Sequence, residues 1–323
     1  MNVIFLNNCQ NIFKKVLMAI IGNSPAMQRL RKQIEKIAKT NAAILLQGES
    51  GTGKELVAMA IHKLSERSSK EFVAINCGAI PESLMESLLF GYEEGAFSGA
   101  KKNGQQGLLE TANGGTLFLD EAGEMPYLMQ AKILRTLQNN KIRRLGASKS
   151  IQLDVRIISA SNKNLRKQVE LGNFRKDLFY RLDVIPIFIP PLRERMEDVP
   201  LLIEFFLKDF ENQYHTKFSV TTGLLKKFME YHWPGNIREL RNFIEYGVCF
   251  CEDGMLSAEL YEPRFALALN PTEQEIILKP KQKTKKEHIQ KLLGIHGAST
   301  KGKIKTAQEL GISLATLYRH LKN

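Results

Sequence analysis

Several classes of protein are excluded by what this chain lacks. Its 323 residues include only 4 cysteines, and Cys9, Cys77, Cys249 and Cys251 form no repeated CxxC pair. Neither a zinc site nor a disulfide framework is expected from that usage, and reduced thiols in a cytoplasmic protein are. A spanning helix needs about 20 apolar residues in a row, and no run comes near it, so no membrane partner is expected. Lys14 and Lys15 follow apolar residues instead of preceding them, the reverse of an export signal. Residues 1–19 are too few for a sensory domain, so regulation from outside the chain, or none, is the expectation. Acidic residues are scarce at one end. Residues 279–323 hold 11 Lys or Arg against 2 Asp or Glu, so +9 of the formal net charge of +12 lies there. Such a tail either meets a polyanion or stays solvated.

What is present starts with Gly48-Glu49-Ser50-Gly51-Thr52-Gly53-Lys54-Glu55. The apolar run Ala42–Leu46 precedes it and a helical pattern from Leu56 to Ile61 follows it. Strand, glycine-rich turn and helix is the context of a phosphate-binding loop. The glycines allow positive φ, so successive N–H groups can face phosphate oxygens, and Lys54 can reach the β- and γ-phosphates. Glu55 stands where the general pattern has a hydroxyl ligand for Mg²⁺.

Three further strands are expected. Phe72–Cys77 carries Asn76 at its end, either facing a ligand or forming a turn. Gly114–Glu121 ends in adjacent carboxylates. After a phosphate loop, Asp120 can hold Mg²⁺ and Glu121 can deprotonate an attacking water. Val155–Asn162 is the fourth strand. Helix, loop and strand alternate, which predicts a parallel α/β sheet.

A helix from Ser83 to Phe90 runs into Gly95-Ala96-Phe97-Ser98-Gly99-Ala100. Phe97, ringed by small residues, lacks local packing and reads as a partner contact, or else as a buried ring in a turn. Phe174–Leu182 is helical; Arg175 and Arg181 could reach phosphate across a subunit boundary, though surface arginines share that spacing. Pro190 and Pro191 mark a boundary, and a helical region continues to Glu259, with Arg238 in the first turn after His232–Asn236. A linker is expected over 260–280. In the tail, Leu314, Leu317, Tyr318 and Leu321 share a helical face after the Gly311–Ser313 turn, and Ile304, Ala307 and Leu310 form a stripe before it. That reads as helix-turn-helix, presenting Ser313, Ala315, Thr316, Arg319 and His320 to double-stranded DNA.

In this order these stretches resemble the bacterial enhancer-binding activators of sigma-54 RNA polymerase, a branch of the AAA+ ATPases. The resemblance covers Ile20 to Ser257, and the tail resembles a Fis-type DNA-binding domain. Gly48–Glu55 matches the family's Walker A, in which Glu follows the Lys, and Gly114–Glu121 its Walker B. Gly95–Ala100 resembles the loop that touches the sigma factor, Phe174–Leu182 the arginine-finger helix, and Trp233–Leu240 the sensor II segment. Asn76 resembles the switch Asn that restrains the Walker B Glu, and Asn162 lies in the sensor I strand. Ser98 replaces the usual Thr, Leu88 and Tyr92 stand where Glu and His are common, and Leu314 and Ala315 replace polar or basic residues.

The resemblance implies an AAA+ α/β core over 20–189, a helical lid over 190–259 and an all-α DNA-binding domain over 281–323. It implies ATP and Mg²⁺ as ligands, with Lys54, Asn76, Glu121, Arg175 and Arg181 catalytic. Gly48–Glu55, Asp120, Asn162 and Arg238 would hold the nucleotide. The implied partners are sigma-54 polymerase holoenzyme, upstream DNA and other copies in a ring of six. A competing reading is a DNA-bound regulator that keeps the fold without remodelling polymerase.

Overall fold

The computed structural model describes residues 20–97 and 102–261; expectations for the remaining residues lie outside them. The start of helix α1 (Pro25–Ala38) is set by its own sequence. Ser24 Oγ accepts the Met27 N–H at 3.3 Å and Pro25 fills the first turn, where its missing N–H costs nothing. There follow β1 (Ile44–Gln47), α2 (Lys54–Lys63), β2 (Phe72–Asn76) and α3 (Glu82–Phe90). Next come β3 (Thr116–Asp120), α4 (Tyr127–Asn139), β4 (Arg156–Ser161), α5 (Lys176–Leu182) and β5 (Ile185–Phe188).

These five strands make one sheet in the order β2-β3-β4-β1-β5, with every pair parallel. The three central strands are covered on both faces and buried at nearly every position, as in a parallel sheet. The edge strands β2 and β5 instead alternate between buried and more exposed residues. Leu45, Leu117, Leu119 and Ile157 pack with Met85, Met129, Ile133 and Leu178, from α3, α4 and α5. Ile44, Leu46, Phe118 and Ile158 pack with Leu30, Ile34, Val57 and Ile61, from α1 and α2. The register pairs Asn76 with Asp120 and Gln47 with Ser161, so the carboxyl ends of these strands line up along one edge. Open α/β sheets take their ligands at that edge.

Two features differ from the sequence reading. Strand β5 was not expected, because Pro186 lies inside it. Pro186 has no N–H to donate, and β5 tolerates it because it pairs only with β1, at the sheet's edge. The fourth strand ends at Ser161 and leaves Asn162 just beyond it.

After Pro190 and Pro191 the chain forms a helical lid of α6 (Val199–Tyr214), α7 (Thr222–Glu230) and α8 (Asn236–Phe250). Its centre is aromatic. Trp233, fully buried, meets Tyr231 edge-on at 4.9 Å and Phe228 and Phe243 at 5.4 Å each. The Trp233 Nε1–H donates to the Phe228 carbonyl at 2.9 Å, so the indole is buried with its polar atom satisfied. Core and lid belong to one compact unit that ends at Ser257. No helix among the described residues is long and apolar enough to cross a membrane.

Candidate functional site

The loop between β1 and α2 is shaped by its glycines. Gly51 (φ +76°) and Gly53 (φ +97°) lie in the left-handed region that a side chain disfavours. Gly53 also caps α2 without a side chain, leaving the first N–H groups of that helix unencumbered. Thr52 is buried, and its hydroxyl donates to the Glu49 carbonyl at 2.8 Å, which tightens the loop. Lys54 Nζ donates to the Gly48 and Glu49 carbonyls, each at 2.9 Å. Burial pulls the Lys54 ammonium down from its ordinary pKa, and the charges of Asp120 and Glu121 pull it back up.

Asp120 is the last residue of β3, and Glu121 turns the chain with a left-handed φ of +50°. The Asp120 carboxyl is pushed up chiefly by burial, while the Glu121 N–H it accepts at 3.0 Å, and then Lys54, favour its charged form. Glu55, at the start of α2, is solvent-exposed by area but has protein around it. Desolvation, and then the Asp120 charge, raise its carboxyl. Asn76 performs the turn role: its Oδ1 accepts the Gly78 N–H at 2.9 Å and the Ala79 N–H at 3.1 Å. A Cβ on Gly78 would collide with Glu121 Oε2 and touch Asn76 Oδ1, so these two side chains flank one glycine.

The lid docks directly on this loop. Gly51 O accepts the N–H groups of Ile237 (3.0 Å) and Arg238 (3.3 Å), at the start of α8. The Arg238 guanidinium donates to Ser50 Oγ at 3.0 Å. Three residues missed by the sequence reading hold this junction. Asn236, fully buried at φ +55°, donates to Glu49 Oε2 and Ser50 O and accepts the Leu192 N–H at 2.8 Å. Arg193 grips Glu49 through two hydrogen bonds of 2.7 and 2.6 Å and lowers the Glu49 carboxyl below its usual range. Arg195 is buried and reaches toward Thr52.

Loop and lid enclose a cavity of about 300 Å³. One end holds Lys54, Glu55, Asp120, Glu121 and Arg238; the other is walled by Ile21, Leu202, Phe205, Phe206 and Ile237. One part therefore offers cations, loop amides and three carboxylates, and the other planar and branched apolar side chains beside the Arg241 guanidinium. That polarity matches a molecule with an anionic end and an apolar, flat end.

The sequence matches the sigma-54 interaction domain over residues 20–188 and the AAA+ ATPase lid domain over residues 193–276. The chain belongs to the sigma-54 interaction domain family. The signal-transduction and transcriptional-control protein of Clostridium beijerinckii is 57% identical over 227 residues, covering 70% of this chain and 36% of that protein. The transcriptional regulatory protein GlrR of Escherichia coli K12 is 44% identical over 294 residues, covering 90% of this chain and 64% of GlrR. The chain thus spans less than two thirds of either relative. Among solved structures, NtrX from Brucella abortus in complex with ATP superimposes with a TM-score of 0.72 at 36% identity, over 94% of this chain and 68% of NtrX.

Not every residue expected in the sigma-54 domain's site lies in its cavity. Arg175 and Arg181 are elsewhere, in and just before α5. Arg175 pairs with Asp177 at 2.8 and 3.1 Å and lies over the Tyr127 ring at 5.6 Å. Its backbone N–H donates to the buried Gln130 side chain at 2.8 Å, an anchor the sequence reading missed. Arg181 donates to the Leu137 carbonyl at 2.7 Å, near the end of α4. Asn162 is exposed and is not among the cavity's lining residues.

The loop expected to touch the sigma factor is described from Gly95 to Phe97; Ser98, Gly99 and Ala100 lie outside the described residues. It rises from a short antiparallel ribbon, Gly91–Tyr92 against Gln105–Gln106. Gly95 takes φ +76° in open space. Phe97 corrects one expectation. It does find local packing, its ring meeting buried Tyr92 edge-on at 4.9 Å, while 45% of its surface stays exposed. Tyr92 supplies that contact. Ser313, Ala315, Thr316, Arg319 and His320 lie outside the described residues.

Proposed function

We propose that this chain is an ATPase that binds upstream double-stranded DNA, assembles with further copies into a ring of six, and opens promoters bound by sigma-54 polymerase holoenzyme. A cytoplasmic location follows from that role. One observation carries the reading: Lys54, Asp120, Glu121 and Arg238 converge at the polar end of a single cavity beneath the lid. The loop amides, Lys54 and the start of α2 bind phosphates. Glu121 takes the proton of the attacking water, and Asn76 restrains Glu121 across Gly78. Arg238 carries the phosphate state to the lid, whose first turn already rests on Gly51. Arg175 and Arg181, outside their own cavity, serve the cavity of the next copy.

Mg²⁺ fits the acidic pair. Burial first raises the hold of Asp120 and of Glu55 on a proton, and a hard cation held by these carboxylates would relieve that. Among the described residues no group of three or more His, Cys, Asp or Glu could hold a metal alone. That suits Mg²⁺, which keeps its waters and uses one or two carboxylates beside substrate phosphates. When bound, the ion would supply charge neutralisation at the phosphates, with Asp120 and Glu55 as the residues that would hold it.

The exposed half of Phe97 offers an apolar anchor to the sigma factor, and the basic tail offers charge to DNA. The deciding experiment is open-complex formation on a sigma-54 promoter, with purified polymerase, this protein and ATP. ATP-dependent opening is expected. ATP turnover with no opening would leave only the ATPase, and DNA binding without turnover would favour a regulator that does no remodelling.

A further inference from the structure

Arg193-Glu194-Arg195-Met196-Glu197-Asp198 reads as a solvated charge run between core and lid. The fold instead buries two of these charges: Arg195 and Asp198 are each 1% exposed. A buried carboxylate must be satisfied, and Asp198 is satisfied by one short segment. Its Oδ1 accepts the N–H groups of Asn23 (2.6 Å) and Ser24 (2.8 Å), and its Oδ2 accepts the Ser24 hydroxyl at 2.6 Å. Gly22 makes the approach possible: it takes φ +145°, and a Cβ there would collide with the Asp198 carboxylate. Arg31 holds the same segment from the other side, donating to the Ile20 carbonyl at 2.9 Å.

Position gives these contacts their meaning. Ile21, within the gripped segment, lines the apolar end of the cavity. Asp198 immediately precedes α6, whose Leu202, Phe205 and Phe206 line the same end. One carboxylate therefore ties the core's wall to the lid's wall. The neighbouring Arg195 makes contacts of its own, donating to Met27 Sδ at 2.9 Å.

We propose that Asp198 is a positioning residue that sets the width of the apolar slot, and so the grip on the flat base of a nucleotide, while leaving the phosphate end alone. The proposal rests on the nucleotide reading above. Asp198 touches neither phosphate nor water in this scheme; it acts through Ile21 and α6. Apolar side chains make up most of the slot's wall, with Arg241 beside them, so its grip depends on wall spacing, which one rigid tie controls.

The test compares ATP with inorganic tripolyphosphate, which has the phosphates and no base, on the full-length chain. In Asp198→Ala the Kd for ATP should rise at least about tenfold, equivalent to ~1.4 kcal/mol. The inhibition constant of tripolyphosphate should stay within about twofold of wild type. In steady state KM for ATP should rise while kcat falls far less. Asp198→Asn keeps an acceptor for the two N–H groups and should fall between wild type and Ala, a graded rescue that a general loss of folding does not give. Should Asp198→Ala fail to fold by circular dichroism, Ser24→Ala and Gly22→Ala weaken the same tie from the other side and are read the same way. Equal loss of ATP and tripolyphosphate binding, or loss of neither, overturns the pin while the nucleotide reading stands. A wild-type chain that binds neither probe overturns both.

Discussion

Arg238 and Arg175 are cations on the same chain with opposite surroundings. Arg238 is set by its own backbone, because α8 begins on the Gly51 carbonyl, and its side chain is already at Ser50 in the phosphate loop. Arg175 lies away from the cavity, partly buried, held by the part-exposed carboxylate of Asp177 and set over the Tyr127 ring. Solvent screens such a pair, so little is lost when the guanidinium turns to another partner. On the proposed function, Arg238 serves this chain's cavity and Arg175 that of the next copy. The cavity should therefore bind ATP in a single copy and hydrolyse it well only beside a second.

Five substitutions sharpen or break that division, beginning with the largest effect. Lys54→Ala should abolish turnover and raise the Kd for ATP by roughly 10² or more, since losing a buried charged contact costs about 2–5 kcal/mol. Titration calorimetry reads this, and unchanged binding would remove Lys54 from the phosphate end. Arg175→Ala and Arg181→Ala should each lower turnover by about 10³–10⁵, as loss of an arginine finger does elsewhere, with ATP affinity nearly intact. Mixing either variant with Glu121→Ala should recover activity, because some interfaces then hold both groups. Demonstrated co-assembly without recovery would end the shared-site idea.

Glu121→Ala alone should bind ATP normally and turn over about 10²–10⁴ more slowly, the usual worth of a general base. Normal turnover by assembled Glu121→Ala would falsify that role. Phe97→Ala should give the smallest change, and the most selective. Loss of an apolar anchor costs about 2 kcal/mol, roughly thirtyfold in contact affinity, so promoter opening should fall while ATP turnover holds. If both fall together, loss of the Tyr92 contact has damaged the ribbon and the loop is structural.

What the sequence disclosed and what it hid divide along a physical line. Gly48–Glu55 and the strand ending at Asp120 were legible because their chemistry is local: turn glycines, an apolar run and a terminal carboxylate lie within a few residues. Strand β5 was hidden because Pro186 argues against a central strand, and only the sheet order reveals that β5 is an edge. The grip of Arg193 on Glu49 and of Asp198 on Ser24 joins residues more than a hundred positions apart, and no periodicity encodes such pairs. Asn236 belonged to a recognised turn, yet its backbone looked like nothing more than punctuation. Phe97 seemed unsupported because Tyr92, five residues earlier, was read only as a departure from the family.

The chain has a single tryptophan, and the fold seats it in the lid immediately before the Pro234–Asn236 turn that meets the phosphate loop. Trp233 is shielded from solvent on every side and hydrogen-bonded through its indole nitrogen. Its emission therefore reports from one known place, with no second indole to average over. Quenchers in bulk water cannot reach it while the lid keeps its aromatic packing. The protein carries its own optical gauge of the helical subdomain, readable without a label, beside the turn through which that subdomain touches the phosphate loop.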